Sequence, residues 1–316
     1  MLTQFQELKM IYTSEKNWYK WGYDDTGWFG RKSADSKLIT SYSCEFNGNV
    51  DSFENELLNA ARSTLDHYPN LKPSIFFSGG VDSEMILRAY LKIGADPKVY
   101  IVKYENDYNS YDVNIALEVC RNLCVDYDII DFNLENFYLN DAEQISDLSQ
   151  IDRPRALPHI KFTENVDGLI ILGQSDLTWY RTDDDYTKQG TWLVKDLEHD
   201  LGGDKYNLLI DRPAIYQWWK WTPGLIISYT RLNWFRRLLS DKYPGKLGIN
   251  STKIEGFREV YPDLIERKKA TGLEKVDHLV NEFENFLYKK HNGFPYRDYV
   301  ERSLDQLIDE IHNKQT

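Results

Sequence analysis

The sequence predicts an α/β fold with a doubly wound, mostly parallel sheet, a helical C-terminal region and a short β-rich N-terminal extension. Three observations carry this expectation. From Pro73 onward, short apolar runs alternate with amphipathic ones, the rhythm of strand and helix. The runs in "SIFF", "KVYIVKY" and "DGLIILG" are apolar at successive positions, as in strands covered on both faces. The first of them enters "SGGVDS", a glycine turn set between a strand and a helix.

Taken in order, residues 1–50 form the extension. "WYKWGYDDTGWFG" alternates aromatics around Asp-Asp and glycine breaks, as a β-hairpin does. "DSFENELLNAARSTLDHY" predicts a helix, capped by Asp51 or Ser52, with Phe53, Leu57, Leu58, Ala61 and Leu65 on its apolar face. Residues 51–190 form the core. "SIFF" is a strand and "SEMILRAYLKIG" a helix closed by Gly94. "KVYIVKY" is a strand, "DVNIALEVCRNL" a helix and "YDIIDF" a strand. "DGLIILG" follows a longer connection through "DRPRALPHIKF". Residues 191–316 read as mostly helical, through "IISYTRLNWFRRLL", "VDHLVNEFENFLYKK" and "YRDYVERSLDQLIDEI", and are expected to complete a pocket.

Composition excludes several classes. With 38 basic against 50 acidic residues among 316, the formal charge is -12, which argues against broad binding to nucleic acid or anionic membrane. A local basic groove stays open. No apolar run approaches the roughly 20 residues that span a bilayer, and the N-terminus lacks an apolar stretch followed by a cleavage site, so neither membrane span nor signal peptide is expected. Cys44, Cys120 and Cys124 are few and odd in number, as in a cytoplasmic protein with reduced thiols.

The turn carries the chemistry. Gly79 and Gly80 allow unusual backbone angles and a close ligand approach. Amides at the start of the following helix point outward, where the macrodipole favours an anion, and Ser78 and Ser83 add hydroxyl donors. Asp82 suits such a place when a cation lies between it and the anion, which points to Mg²⁺ shared with phosphate oxygens. The turn therefore reads as a cradle for a magnesium-bound phosphate chain. It is neither a Walker A loop nor a G-x-G-x-x-G fingerprint.

"SGGVDS" resembles the SGGxDS pyrophosphate loop of the PP-loop (N-type) ATP pyrophosphatases, within which the synthetase domain of asparagine synthetases and β-lactam synthetases is most similar. The resemblance covers roughly residues 70–180, with a weaker trace near residue 270. It implies the adenine nucleotide α-hydrolase-like fold and cleavage of ATP to AMP and pyrophosphate, with ATP and Mg²⁺ as cofactors and adenylation of an acceptor for amide formation. It also implies roles. Ser78, Gly79, Gly80, Val81, Asp82 and Ser83 hold the pyrophosphate end. Main chain at Val102, Lys103 and Tyr104, which opens "YENDYNSYDVNIALEVC", holds adenine. "LIILGQSD" resembles a "GEGxDE" turn, from which Gly173 and Asp176 carry over; Gln174 and Leu177 depart from it and weaken the metal role. "IERKKATG" resembles a late R-x-K segment whose lysine faces the α-phosphate, giving Lys269, or Lys268 in its place. Asp82 and Lys269 are then the catalytic residues, and Asp82 and Asp176 the metal ligands.

The resembled asparagine synthetases that use glutamine carry a cysteine nucleophile after the initial Met, whereas residue 2 here is Leu, so no glutaminase domain is expected. Nitrogen would come as free ammonia, as another amine, or from an ammonia-supplying partner protein. Two rivals stand beside the small-molecule amide former: a sulfur-transfer or nucleoside-modifying PP-loop enzyme, and a non-catalytic nucleotide-binding partner subunit. Cys120 and Cys124, spaced i, i+4 on a helix, suit neither a disulfide relay nor a metal site. "YQWWKWTPGLIISYTRLNWFRR" interleaves aromatics with Lys220, Arg231, Arg236 and Arg237. It reads as core with snorkelling cations before it reads as a base-stacking face. "RTDDDYTK" reads as a solvated acidic turn, and His159 and His199 lack metal-ligand spacing.

Overall fold

The structure, a computed structural model, describes residues 19–24, 35–42, 49–173, 178–181, 192–239, 249–267 and 271–312. Strands β1 (Tyr19–Tyr23) and β2 (Leu38–Tyr42) pair antiparallel, Trp21 opposite Thr40. The hairpin expected within "WYKWGYDDTGWFG" is corrected in one respect: the partner of β1 is β2, beyond that stretch. Helix α1 (Phe53–His67) is capped by Ser52, whose hydroxyl accepts from the Asn55 amide at 3.3 Å.

The main sheet begins with β3 (Pro73–Phe76), followed by α2 (Val81–Lys92), β4 (Lys98–Tyr104), α3 (Ser110–Asn122) and β5 (Tyr127–Phe132). Helices α4 (Leu134–Asn140), α5 (Ala142–Ser149) and α6 (Pro158–Lys161) lead to β6 (Leu169–Leu172). Strands β7 (Thr178–Arg181) and β8 (Trp192–Leu197), helix α7 (Gly202–Leu209) and β9 (Ala214–Ile215) come next. The remainder is α8 (Pro223–Thr230), α9 (Asn233–Leu239), α10 (Ile249–Phe257), α11 (Asp277–His291), β10 (Tyr299–Ser303) and α12 (Leu304–His312).

Five strands run parallel in the order β5-β4-β3-β6-β9. Adjacent residues face opposite sides, and in the inner strands β3 and β6 both sides are buried throughout, whereas edge strand β5 is largely exposed. Ile75, Val99 and Ile171 join a core with α1, α2 and α8, while Phe76, Tyr100 and Ile170 join another with α4, α5 and α11. This is a doubly wound α/β sheet. The chain builds outward from β3 to β5, then crosses back to lay β6 against the other side of β3, so strand order switches at β3.

The C-terminal region is helical as expected, and it also supplies strands. β9 completes the main sheet, and β8 pairs antiparallel with both β7 and β10. The single helix expected over "YRDYVERSLDQLIDEI" is corrected: it opens as β10, and only Leu304–His312 is helical. A buried ion cluster overrides the local helical tendency there. Asp196 of β8 accepts from Arg302 of β10 at 3.0 Å, from Thr40 and Tyr42 of β2 at 2.7 and 2.6 Å, and from Lys220 at 2.8 Å. Burial alone would raise the Asp196 pKa; the two cations and the Tyr42 hydroxyl hold it below the usual carboxylate range. Among the described residues, no helix is long and apolar enough to cross a membrane.

Candidate nucleotide site

The loop after β3 lies at the carboxyl end of the central strand, beside the switch in strand order. This is the place where open α/β sheets bind ligands. Apolar Ile75, Phe76 and Phe77 anchor the strand in both cores. Gly79 then turns with φ +78, and a Cβ on it would stand 2.2 Å from the Asp112 carbonyl oxygen in the first turn of α3. Only glycine fits both the left-handed backbone and that contact. Gly80 caps α2 with no side-chain acceptor, and its carbonyl takes the first helical bond, from Glu84, at 3.1 Å. The amides of Val81, Asp82 and Ser83 have no helical carbonyl partner and add to the positive end of the helix.

Hydroxyls line the turn. Ser78 Oγ and Ser83 Oγ are 3.2 Å apart; the former accepts from the Gly80 amide at 3.3 Å, and the latter donates to the Gly80 carbonyl at 3.0 Å. Gly173, at the end of β6, closes the far wall: a Cβ there would lie 3.2 Å from the Ser83 amide nitrogen. The structure therefore brings Ser78, Gly79, Gly80, Val81, Asp82, Ser83 and Gly173 to one place. Asp176, Lys268 and Lys269 lie outside the described residues, as do Cys44 and "TDDDYTK".

Three cations meet the loop and α2, and of these only Arg267 belongs to a segment with a motif resemblance, the R-x-K of "IERKKATG". Lys253 of α10, buried, pairs through Nζ with Asp82 Oδ2. Arg267 donates to the Gly79 carbonyl at 2.7 Å and pairs with Glu84, whose carboxylate is fully buried. Arg88 holds the other Glu84 oxygen at 2.8 Å and reaches Asp263 at 2.9 Å. An Arg-Glu-Arg triad thus ties Arg267 to α2. The i, i+4 spacing of Glu84 and Arg88 is the one part of this triad that a sequence pattern could have signalled.

At the end of β4, the main chain of Val102 and Tyr104 is hydrogen-bonded by a side chain. The Tyr104 amide donates to Asn109 Oδ1 at 2.8 Å, and the Val102 carbonyl accepts from Asn109 Nδ2 at 2.9 Å. Lys103 is half exposed and pairs with Asp107 at 2.9 Å.

The remaining candidates lie elsewhere. Trp218, Trp219, Tyr229, Trp234 and Phe235 are buried in the core against α1, and Lys220 is buried on Asp196; Arg231 donates to the Val50 carbonyl. Cys120 is fully buried, and burial pushes its thiol up to about 11; Cys124 is exposed. Burial holds His159 down at about 4 and His199 at about 3, so both are neutral near pH 7. Among the described residues, no group of three or more His, Cys, Asp or Glu side chains could hold a metal ion by itself.

No family model matches the chain, and no curated protein sequence matches it. Among solved structures 32 chains match. One of them, described as the structure of NMN synthetase from Francisella tularensis, is 14% identical, covers 76% of this chain and 94% of its own length, and superposes with a TM-score of 0.30. So low a score transfers no residue from one chain to the other.

Proposed function

We propose that the chain is an ATP-dependent adenylating enzyme of the PP-loop kind, releasing pyrophosphate from ATP while activating a small carboxylate or carbonyl compound for amide formation. One observation carries the reading: an SGGVDS turn with Gly79 in the left-handed region, at the helix N-terminus that follows the central parallel strand and beside the switch in strand order. Two cationic side chains reach it from distant sequence, which suits a tetra-anionic ligand.

The chain's own groups divide the work. Amides of α2 and the hydroxyls of Ser78 and Ser83 bind the β and γ phosphates, and Lys253 offsets their charge. Arg267 fixes the Gly79 carbonyl, so the turn keeps its shape when phosphate arrives. A substrate oxygen then attacks the α-phosphorus, the bond to the bridging oxygen breaks, and pyrophosphate leaves with the electron pair. An amine or ammonia next displaces AMP. Asp82 is one carboxylate beside a phosphate cradle, a donor set that fits Mg²⁺, which when bound would neutralise phosphate charge; Asp176 would be its second ligand. Lys269 would face the α-phosphate. The reduced thiols suit a cytoplasmic setting, with an ammonia-supplying partner as one nitrogen source.

A sulfur relay through Cys120 is disfavoured by burial and a thiol held near 11. The deciding experiment measures AMP and pyrophosphate from ATP and Mg²⁺ with a panel of carboxylic acids plus ammonium. Release that depends on one acid, and is lost in Asp82→Ala, supports the reading. ATP binding without release under every acid would make the chain a nucleotide-binding subunit instead.

A further inference from the structure

β4 outruns its neighbour β3. The last paired rung sets Phe76 beside Tyr100, and the Phe77 amide donates to the Tyr100 carbonyl at 2.8 Å. Beyond it β4 continues to Tyr104 with β5 on one side only. In a parallel ladder the N–H and C=O of one residue point to the same edge and those of the next residue to the other. Tyr100, Val102 and Tyr104 therefore face the β3 side, and past the end of β3 no described strand pairs with that edge. A strand edge there presents a carbonyl and an amide, two residues apart, to whatever occupies the space.

In this chain a side chain occupies it. The Asn109 carboxamide donates to the Val102 carbonyl at 2.9 Å and accepts from the Tyr104 amide at 2.8 Å, and the residue is only 9% exposed. A carboxamide carries an N–H donor beside a carbonyl acceptor. The pairing edge of adenine has the same pattern, an amino donor at N6 beside the N1 acceptor, whereas hypoxanthine carries a carbonyl at position 6 and an N–H at N1. Asn109 therefore stands on this strand edge as an adenine would.

We propose that Asn109 is a specificity-determining gate at the nucleobase end of the site: its carboxamide fills the adenine register on β4, and a base binds there only when Asn109 leaves. The proposal rests on the nucleotide reading of the turn. Its consequence is that the native chain holds ATP chiefly by the phosphates and distinguishes bases poorly. Displacing two neutral hydrogen bonds lowers apparent affinity by about tenfold, because only the open fraction binds.

The test titrates the full chain by calorimetry, with Mg²⁺, against ATP, ITP and inorganic tripolyphosphate. For Asn109→Gly we expect ATP to bind at least about fivefold tighter and tripolyphosphate to stay within about twofold. The preference for ATP over ITP should rise from near one to about tenfold. Asn109→Asp keeps the size and the bond from the Tyr104 amide but loses the donor to Val102. It serves if the glycine variant fails to fold, and should show a smaller rise in the same preference. Unchanged or weaker ATP binding with tripolyphosphate binding intact would overturn the gate alone, as would a native chain already preferring ATP over ITP tenfold. Failure of native and variant chains to bind either ATP or tripolyphosphate would overturn the nucleotide reading and the gate with it.

Discussion

Replacing Gly79 by alanine, set against the same change at Gly80, tests the turn most directly. The two glycines are neighbours with opposite constraints. Gly79 has φ +78, and its added Cβ would lie 2.2 Å from the Asp112 carbonyl oxygen and 3.2 Å from the Ala116 amide nitrogen, both of them backbone. Left-handed backbone costs a non-glycine residue about 1–2 kcal/mol. Ordinary contact begins near 3.4 Å, so the turn and α3 must part by more than an ångström, and such overpacking costs about 1–3 kcal/mol. Gly79→Ala should therefore lose about 2–5 kcal/mol. For 316 residues, with about 2.1 cal/mol/K of unfolding entropy each, that is a fall in Tm of roughly 3–8 °C. Gly80 has φ -74, and its added Cβ meets two side-chain hydroxyls, Ser78 at 3.1 Å, which can rotate away, and Ser83 at an ordinary 3.9 Å. The change there costs a weaker helix cap, about 1 kcal/mol or less. Calorimetric scans give both Tm values, and tripolyphosphate titration reads the cradle. Gly79→Ala should bind at least about tenfold more weakly, because parting the turn from α3 misdirects its amides. Equal losses at the two positions, in stability or in binding, would refute the reasoning.

Three further outcomes follow from the same geometry. Arg267→Met removes the bond to the Gly79 carbonyl and leaves buried Glu84 with Arg88 alone, so urea unfolding should show a loss of about 3 kcal/mol, with partial rescue by adding Glu84→Gln; a loss below about 0.5 kcal/mol would dismiss the triad. Lys253→Met and Asp82→Ala should couple by about 1–3 kcal/mol in a double-mutant cycle on tripolyphosphate binding, and simple additivity would mean the ion pair has no part in it. Burial holds the Asp204 carboxyl up at about 7, above its ordinary 3.8. The unfolded chain then releases this proton first, so the Asp204 contribution declines as pH rises from about 4 to 7 and stays lost above that. Asp204→Asn should remove the decline, its stability relative to the native chain growing by up to about 4 kcal/mol between pH 4 and 7.5. His159 and His199, held low by burial, act oppositely below pH 6.5, but they cancel in this difference. A difference that does not vary with pH would rule out a buried, protonated Asp204.

The parts legible in the sequence were those written in local pattern. The apolar runs of β3, β4 and β6 announced strands covered twice, because a two-face-buried strand needs apolar residues at successive positions. The helix over residues 53–67 announced itself by cap and period, and the glycine turn by its place between strand and helix. From these the doubly wound sheet could be drawn, and the SGGVDS turn placed between its strand and helix as a candidate site. Local pattern failed where a distant partner decides the outcome. Residues 299–303 look helical beside "LDQLIDEI", yet they become β10 because β8 offers a ladder and Asp196 a buried partner for Arg302. Val102 and Tyr104 could be placed on a strand, but no spacing shows that Asn109 turns back to cover them. The same holds for the cations: Lys253 meets Asp82 across 171 residues and Arg267 meets Gly79 across 188. A lysine in a helix looks the same in sequence whether it meets solvent or a carboxylate. Which of these it meets is decided by packing, since only the assembled core brings the two charges together and removes the water that would otherwise screen them.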